Sequence, residues 1–294
     1  MANPEHDDAT GRATTGHQWD GIKELNTPLP RWWVLTFYGT IIWAIAYTVA
    51  YPAWPLINGA TAGLLGYSSR TEVQKDIDAA RVEQAQWLQK IESSSLDQIL
   101  ADPEALQFAR AGGSAAFKVN CVQCHGSGAA GAKGYPNLND DDWLWGGTLD
   151  QIHTTIRDGV RFTHDPDTRV SEMPAFGSGM LDAAQIDAAA NFVLKLSGQQ
   201  YDAAAAAQGE TIFKENCVSC HGTAGEGNRE MGGPRLTDAI WLYGHDKAAI
   251  AAQITRPRHG VMPAWRERLD DATIKELAIF VYSLGGGEKS QAQQ

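Results

Sequence analysis

Cysteine is scarce in this 294-residue chain: there are four, at positions 121, 124, 217 and 220. So few exclude a disulfide-dense scaffold, and their grouping into two short pairs assigns them to two small local sites. Basic residues are also in short supply, 24 against 35 acidic, for a formal charge of −11. A chain of this sign lacks the basic face that phosphate backbones require, which excludes nucleic acid and favours a cationic partner. Apolar residues are not scarce. At 43% apolar and 9% aromatic the composition excludes disorder of the whole chain, and the length suits about two packed domains.

Charge is absent from one long run, WWVLTFYGTIIWAIAYTVAY at Trp32 to Tyr51. Twenty residues rising 1.5 Å each make about 30 Å of helix, the thickness of a bilayer core. Trp32, Trp33, Tyr51 and Trp54 sit at the ends, where aromatic belts lie, and Pro52 and Pro55 stop the helix. A buried soluble helix would be shorter and keep a polar stripe. A cleaved signal peptide conflicts with the polar residues that precede the run and with the lack of a small-residue cleavage site after it. The segment 32–57 therefore reads as an uncleaved, single-pass anchor. Lys23 and Arg31 precede it and the next basic residue is Arg70, so residues 1–31 are expected in the cytoplasm and everything after 57 in the periplasm.

Residues 58–104 read as a linker and stalk. Val73, Ile77, Ala80, Trp87 and Ile91 recur near helical spacing, Ser93 to Ser95 breaks that helix, and Asp102-Pro103 opens the next as cap and first-turn proline. Beyond residue 110 the sequence repeats. GSAAFKVNCVQCHG at Gly113 to Gly126 answers GETIFKENCVSCHG at Gly209 to Gly222, and Trp143-Leu144-Trp145-Gly146 answers Trp241-Leu242-Tyr243-Gly244. Ile152 and Ile156 answer Ile250 and Ile254; Met173-Pro174-Ala175-Phe176 answers Met262-Pro263-Ala264-Trp265; Phe192 answers Phe280. Two tandem, mainly α domains are expected at 105–198 and 199–287, with a tail at 288–294.

Each repeat holds one C-x-x-C-H: Cys121, Cys124 and His125, then Cys217, Cys220 and His221. Two thiols at this spacing can add to the two vinyl groups of one porphyrin, and the following imidazole projects onto the iron, so two covalently bound haems c are implied. A four-cysteine zinc site gives the histidines no role, a thioredoxin-like pair lacks a βαβ context, and a disulfide leaves the matched methionines unexplained. Met173 and Met262, on proline-stiffened loops, are the candidate sixth ligands; a closed iron with a thioether ligand carries electrons and does no bond-making chemistry. Met180 and Met231 have no counterparts and are expected to be packing residues. His153, His164, His245 and His259 are expected at the surface or as caps, and Arg157, Arg235, Arg256 and Arg258 are candidate partners for haem propionates. Gly113, Phe117, Gly209, Phe213, Phe192 and Phe280 read as contacts between first and last helices. Ligation within each repeat is the default, but two similar domains joined by the short segment Ser197 to Ala207 can also exchange equivalent loops across a pseudo-twofold axis.

The repeated helix, C-x-x-C-H, Met-Pro loop and aromatic last helix resemble class I cytochrome c domains over roughly residues 105–285. With the single anchor, the stalk and the N-L-x-D-x-x-W-L-W-G-G string at Asn137 to Gly147, nearly the whole chain resembles the dihaem subunit III family of cbb3-type cytochrome c oxidases. Some relatives in that family carry two membrane helices; this chain has one. The resemblance implies covalent haem at all four cysteines, proximal ligation by His125 and His221, and distal ligation by Met173 and Met262. It further implies a crossed pattern, with Met262 serving the haem of His125 and Met173 that of His221. The implied role is electron transfer from a soluble or anchored donor cytochrome c to the monohaem subunit and on to the catalytic haem–copper subunit. The chain would not be an enzyme on its own, and would sit in a bacterial inner membrane with its haem domains periplasmic. An anchored dihaem carrier for another dehydrogenase or reductase, and a dihaem peroxidase, are the alternatives.

Overall fold

A computed structural model describes residues 5–289. Parts of two expected segments, residues 1–4 and the tail residues 290–294, lie outside the described residues. The chain divides into two compact units, residues 1–83 and 84–294.

In the first unit an antiparallel pair, β1 (Thr14–Trp19) and β2 (Ile22–Leu25), precedes the anchor. Asp20 and Gly21 join them with φ of 47° and 85°, the left-handed values of a two-residue hairpin turn. Asp-Gly is the hairpin signal in this stretch. Helix α1 (Arg31–Ala50) then follows the apolar run, with no buried residue and enough length and apolar character to cross a membrane. Its aromatic side chains stack along one another, Trp43 on Tyr47 and Tyr47 on Tyr51. A two-residue pair, β3 (Pro55–Leu56) and β4 (Gly59–Ala60), follows.

Helix α2 (Ser69–Ser93) is the expected stalk helix. In the second unit its final turn is tied down: Trp87 stacks on Phe108, and Lys275 donates to the carbonyls of Glu92 (2.7 Å) and Ser94 (3.1 Å), satisfying carbonyls at the helix end. The short α3 (Leu96–Ala101) starts at a Ser95–Gln98 capping box, and α4 (Pro103–Asn120) starts at Asp102, whose carboxylate accepts from the amides of Glu104 and Ala105.

The first repeat continues with the single turn α5 (Val122–His125), a long loop, α6 (Leu149–Asp158), the Met173 loop and α7 (Ala183–Leu196). The second has α8 (Ala203–Asn216), α9 (Val218–His221), α10 (Lys247–Thr255), the Met262 loop and α11 (Asp271–Tyr282). Element by element the two repeats match. Their packing is exchanged, however: α11 lies against α4 and α6, and α7 against α8 and α10. One core gathers Phe117, Ile152 and Ile156 of the first repeat with Ile274, Leu277 and Ile279 of the second. The other gathers Phe176, Phe192 and Val193 with Phe213, Leu236, Ile250 and Ile254, all between residues 173 and 255. The packing units thus cut across the sequence repeats.

Candidate haem sites

Both C-x-x-C-H motifs form one helical turn directly after a first helix, because Cys121 and Cys217 accept from the amides of His125 and His221 through their own carbonyls at 2.9 Å. Cys121 lies against one core and Cys217 against the other, so the four thiols form two pairs, all free. Burial, with the neighbouring thiol adding to it, pushes Cys121 and Cys217 up to about 11. The folded, unmodified site therefore holds little thiolate at neutral pH.

The imidazoles are held the same way in both copies. His125 Nδ1–H donates to the Pro136 carbonyl at 3.0 Å, and His221 Nδ1–H to the Pro234 carbonyl at 2.9 Å. The carbonyl can only accept, so Nδ1 carries the proton and Nε2 keeps its lone pair. Burial lowers both histidines below their ordinary value, which holds them neutral. This is the donor set that a haem iron needs on its proximal side.

The methionines join the opposite repeats. Met262 packs on the core that holds Cys121, and its backbone bonds to Val160 in both directions, at 2.9 and 3.0 Å. Gly159 makes this approach possible: at φ 72°, a Cβ there would stand 2.4 Å from the Met262 carbonyl oxygen. Met173 packs on the core that holds Cys217. Its amide donates to His259 Nε2 at 3.0 Å, and the Gly177 amide reaches the Thr255 carbonyl at 3.1 Å.

The W-L-W-G and W-L-Y-G loops meet the opposite repeat as well. The Trp145 ring leaves no room for a Cβ on Gly232, which would come within 2.3 Å of it, and the Tyr243 ring lies 3.5 Å from the corresponding point on Gly134. Those glycines each lie two residues before the proline that anchors a histidine. Trp145 Nε1 is buried without a hydrogen-bond partner, an orphan donor that suits a porphyrin carboxylate. Arg169 stacks on Trp145 and donates to its carbonyl at 2.9 Å, and Arg258 does the same on Tyr243 at 3.2 Å. The residues present fit haem c.

Several expectations change. His153 is mostly covered, its Nε2 making no hydrogen bond and lying 4.0 Å from Asp271 of α11, so it is neither a surface nor a capping histidine; the exchanged helix shields it. Met180 and Met231 are half-exposed and fill no core. Of the propionate candidates, Arg157 clasps Asp158 at 2.7 and 2.9 Å, Arg235 stands 4.0 Å from Asp238, and Arg256 is exposed. Arg161 and Arg169 are half-buried as well, and they lie in a stretch where the repeats differ in length, so neither has a counterpart in the other repeat.

Two small helical cores, each with a C-x-x-C-H turn and a neutral imidazole, in a chain with a membrane-length helix, define a tandem c-type cytochrome. Residues 109–193 and 204–281 match the model of cytochrome c oxidase, cbb3-type, subunit III, and residues 11–58 match the N-terminal domain of cytochrome oxidase-cbb3, FixP. The cbb3-type cytochrome c oxidase subunit CcoP of Cereibacter sphaeroides is 56% identical over 276 residues, 94% of this chain and 95% of the relative. Subunit FixP of Sinorhizobium medicae is 56% identical over 96% of this chain and 97% of its own length, and that of Bradyrhizobium diazoefficiens 55% over 97% and 98%. The chain belongs to the subunit III family of cbb3-type cytochrome c oxidases.

Proposed function

We propose that this chain takes electrons from a donor cytochrome c and passes them through two covalent haems c to the monohaem and catalytic haem–copper subunits of a cbb3-type oxidase. The observation that carries this reading is the pairing within each core of a neutral, oriented imidazole with a methionine loop from the other repeat. Cys121 and Cys124 hold one haem and Cys217 and Cys220 the other. His125 and Met262 would hold the iron of the first haem, and His221 and Met173 that of the second. Bound haem supplies one-electron iron chemistry, and axial methionine raises its potential relative to a second histidine. The protein's part is to fix both imidazoles through Pro136 and Pro234, to bury the sites, and to close the sixth position, so the chain is not an enzyme by itself. Helix α1 crosses the inner membrane with the amino terminus in the cytoplasm, and both cores lie in the periplasm.

The test is purification of the complex through a tag on this chain. Two haem masses added to the chain, together with b-type haem, copper and oxygen reduction in the co-purifying subunits, support the proposal. A complex without copper and b-type haem points instead to a carrier for another dehydrogenase or reductase. An alkaline phosphatase fusion after residue 100 is expected to be active; activity only in a fusion before residue 30 reverses the orientation.

A further inference from the structure

We infer that Arg266, with Asp158, Asp165 and Asp167, decides which core the Met262 loop joins, and so acts as the positioning residue for the methionine at the His125 site. This rests on the crossed ligand set proposed above.

Arg266 follows Met262 by four residues and reaches into the other repeat. Its Nη1 lies 2.8 Å from Asp167 and 3.4 Å from Asp158, and its Nη2 binds Asp165. Asp158 and Asp165 are 2% and 5% exposed, and Asp158 also takes the fork of Arg157. Carboxylates at that depth are strongly unfavourable without a cation, whereas paired ones are tolerated. The same segment is bonded through its backbone, Trp265 N–H to Ile156 O at 3.2 Å and Met262 to Val160. Fixing the guanidinium therefore fixes the loop that carries the methionine.

The two cores offer equivalent docking places, so something must tell the loops apart. Position for position, Asp158 of the first repeat corresponds to Arg256 of the second, and Arg157 to Thr255. The segment that carries Asp165 and Asp167, residues 159–172, corresponds to the shorter 257–261, which holds no acid. If the Met262 loop docked on its own repeat, Arg266 would face Arg256, and the buried carboxylates would stand opposite Gly177, the residue that answers Arg266 in the Met173 loop. Gly177 fits its present place by size: a Cβ there would lie 2.5 Å from Thr255 Cγ2. The crossed arrangement thus matches cation to anions and glycine to a tight contact, and the local one sets like charges together. Attraction in one pairing and repulsion in the other is how specificity is built.

The experiment uses the full chain in its assembled complex. Arg266→Asp is expected to keep both covalent haems by mass while halving the near-infrared methionine-to-ferric-iron absorption. Only one of the two steps in a redox titration should move to lower potential, the step that Met262→Leu also moves. Arg266→Lys, which keeps the charge and loses the fork, is expected to restore most of the absorption. Full absorption and two unmoved steps in Arg266→Asp overturn the inference. Should that variant fail to assemble, the neutral pair Asp158→Asn with Arg266→Gln decides: reduced absorption supports the inference, and full absorption overturns it. If instead Met262→Leu perturbs the haem on Cys217 and Cys220, the crossed ligand set itself is wrong, a result separate from the role of Arg266.

Discussion

Phe117, one turn before the first cysteine motif, lies 5.3 Å between ring centroids from Phe280, which belongs to the last helix of the other repeat. Phe213 and Phe192 form the mirror pair at 5.1 Å. Both helix crossings close over a glycine, since a Cβ on Gly113 would stand 2.1 Å from the Glu276 carbonyl and one on Gly209 2.0 Å from that of Ala188. The first helix of each repeat therefore packs on the last helix of the other repeat.

Gly209→Ala should force α7 and α8 apart. Overpacking of this kind costs roughly 1–3 kcal/mol, and a region of this size loses about 2–4 °C of Tm per kcal/mol. Calorimetry on the haem-loaded chain checks it; an unchanged Tm would mean that the helix crossing is not close-packed.

Because one core lies wholly between residues 173 and 255, a fragment of residues 171–259 should attach one haem and keep its methionine absorption. The sequence repeat 199–287, which lacks α7 and Met173, should attach haem without that absorption. The opposite pair of spectra would mean that each repeat folds on itself.

Met173→His should give a bis-histidine spectrum to the haem on Cys217 and Cys220. In a chain with Cys121 and Cys124 replaced by alanine the change should persist. If it appears only where Cys217 and Cys220 have been replaced, ligation is local.

Glu276 is buried in α11 with Oε1 unpartnered, and burial, helped by Asp270, raises its pKa from 4.5 to about 7. The folded state then binds the proton more tightly than the unfolded one. The contribution of this group to stability is full below pH 4.5 and is lost as pH rises through about 7, by an amount on the order of 3 kcal/mol. Glu276→Gln should flatten that dependence, leaving stability near pH 4 unchanged and raising it at pH 8. Parallel denaturation profiles for the two chains across this range would rule the assignment out.

Much of the candidate site was legible because the C-x-x-C-H signature is a property of neighbouring residues. Cys121, Cys124 and His125 share one helical turn, so spacing alone names them, and the matched Met-Pro-Ala contexts pick Met173 and Met262 over Met180 and Met231. The anchor and the Asp102-Pro103 helix start were legible for the same reason, since length, apolar content and capping are properties of neighbouring residues. The burial of His153 was not, because the helix that covers it comes from more than a hundred residues away.

The sequence by itself determined that there are two copies of one helical unit, which residues in each could hold a haem, and that an apolar helix precedes them. It left the partner of each half undetermined, because Gly113 and Gly209, Phe117 and Phe213, and Phe192 and Phe280 are the same residue types at equivalent places. Only the tertiary structure decided for exchange. The residues that break the symmetry, Arg266 with Asp158, Asp165 and Asp167 on one side and Gly177 on the other, are far apart in the chain, and their charges and sizes discriminate only once folding sets them face to face.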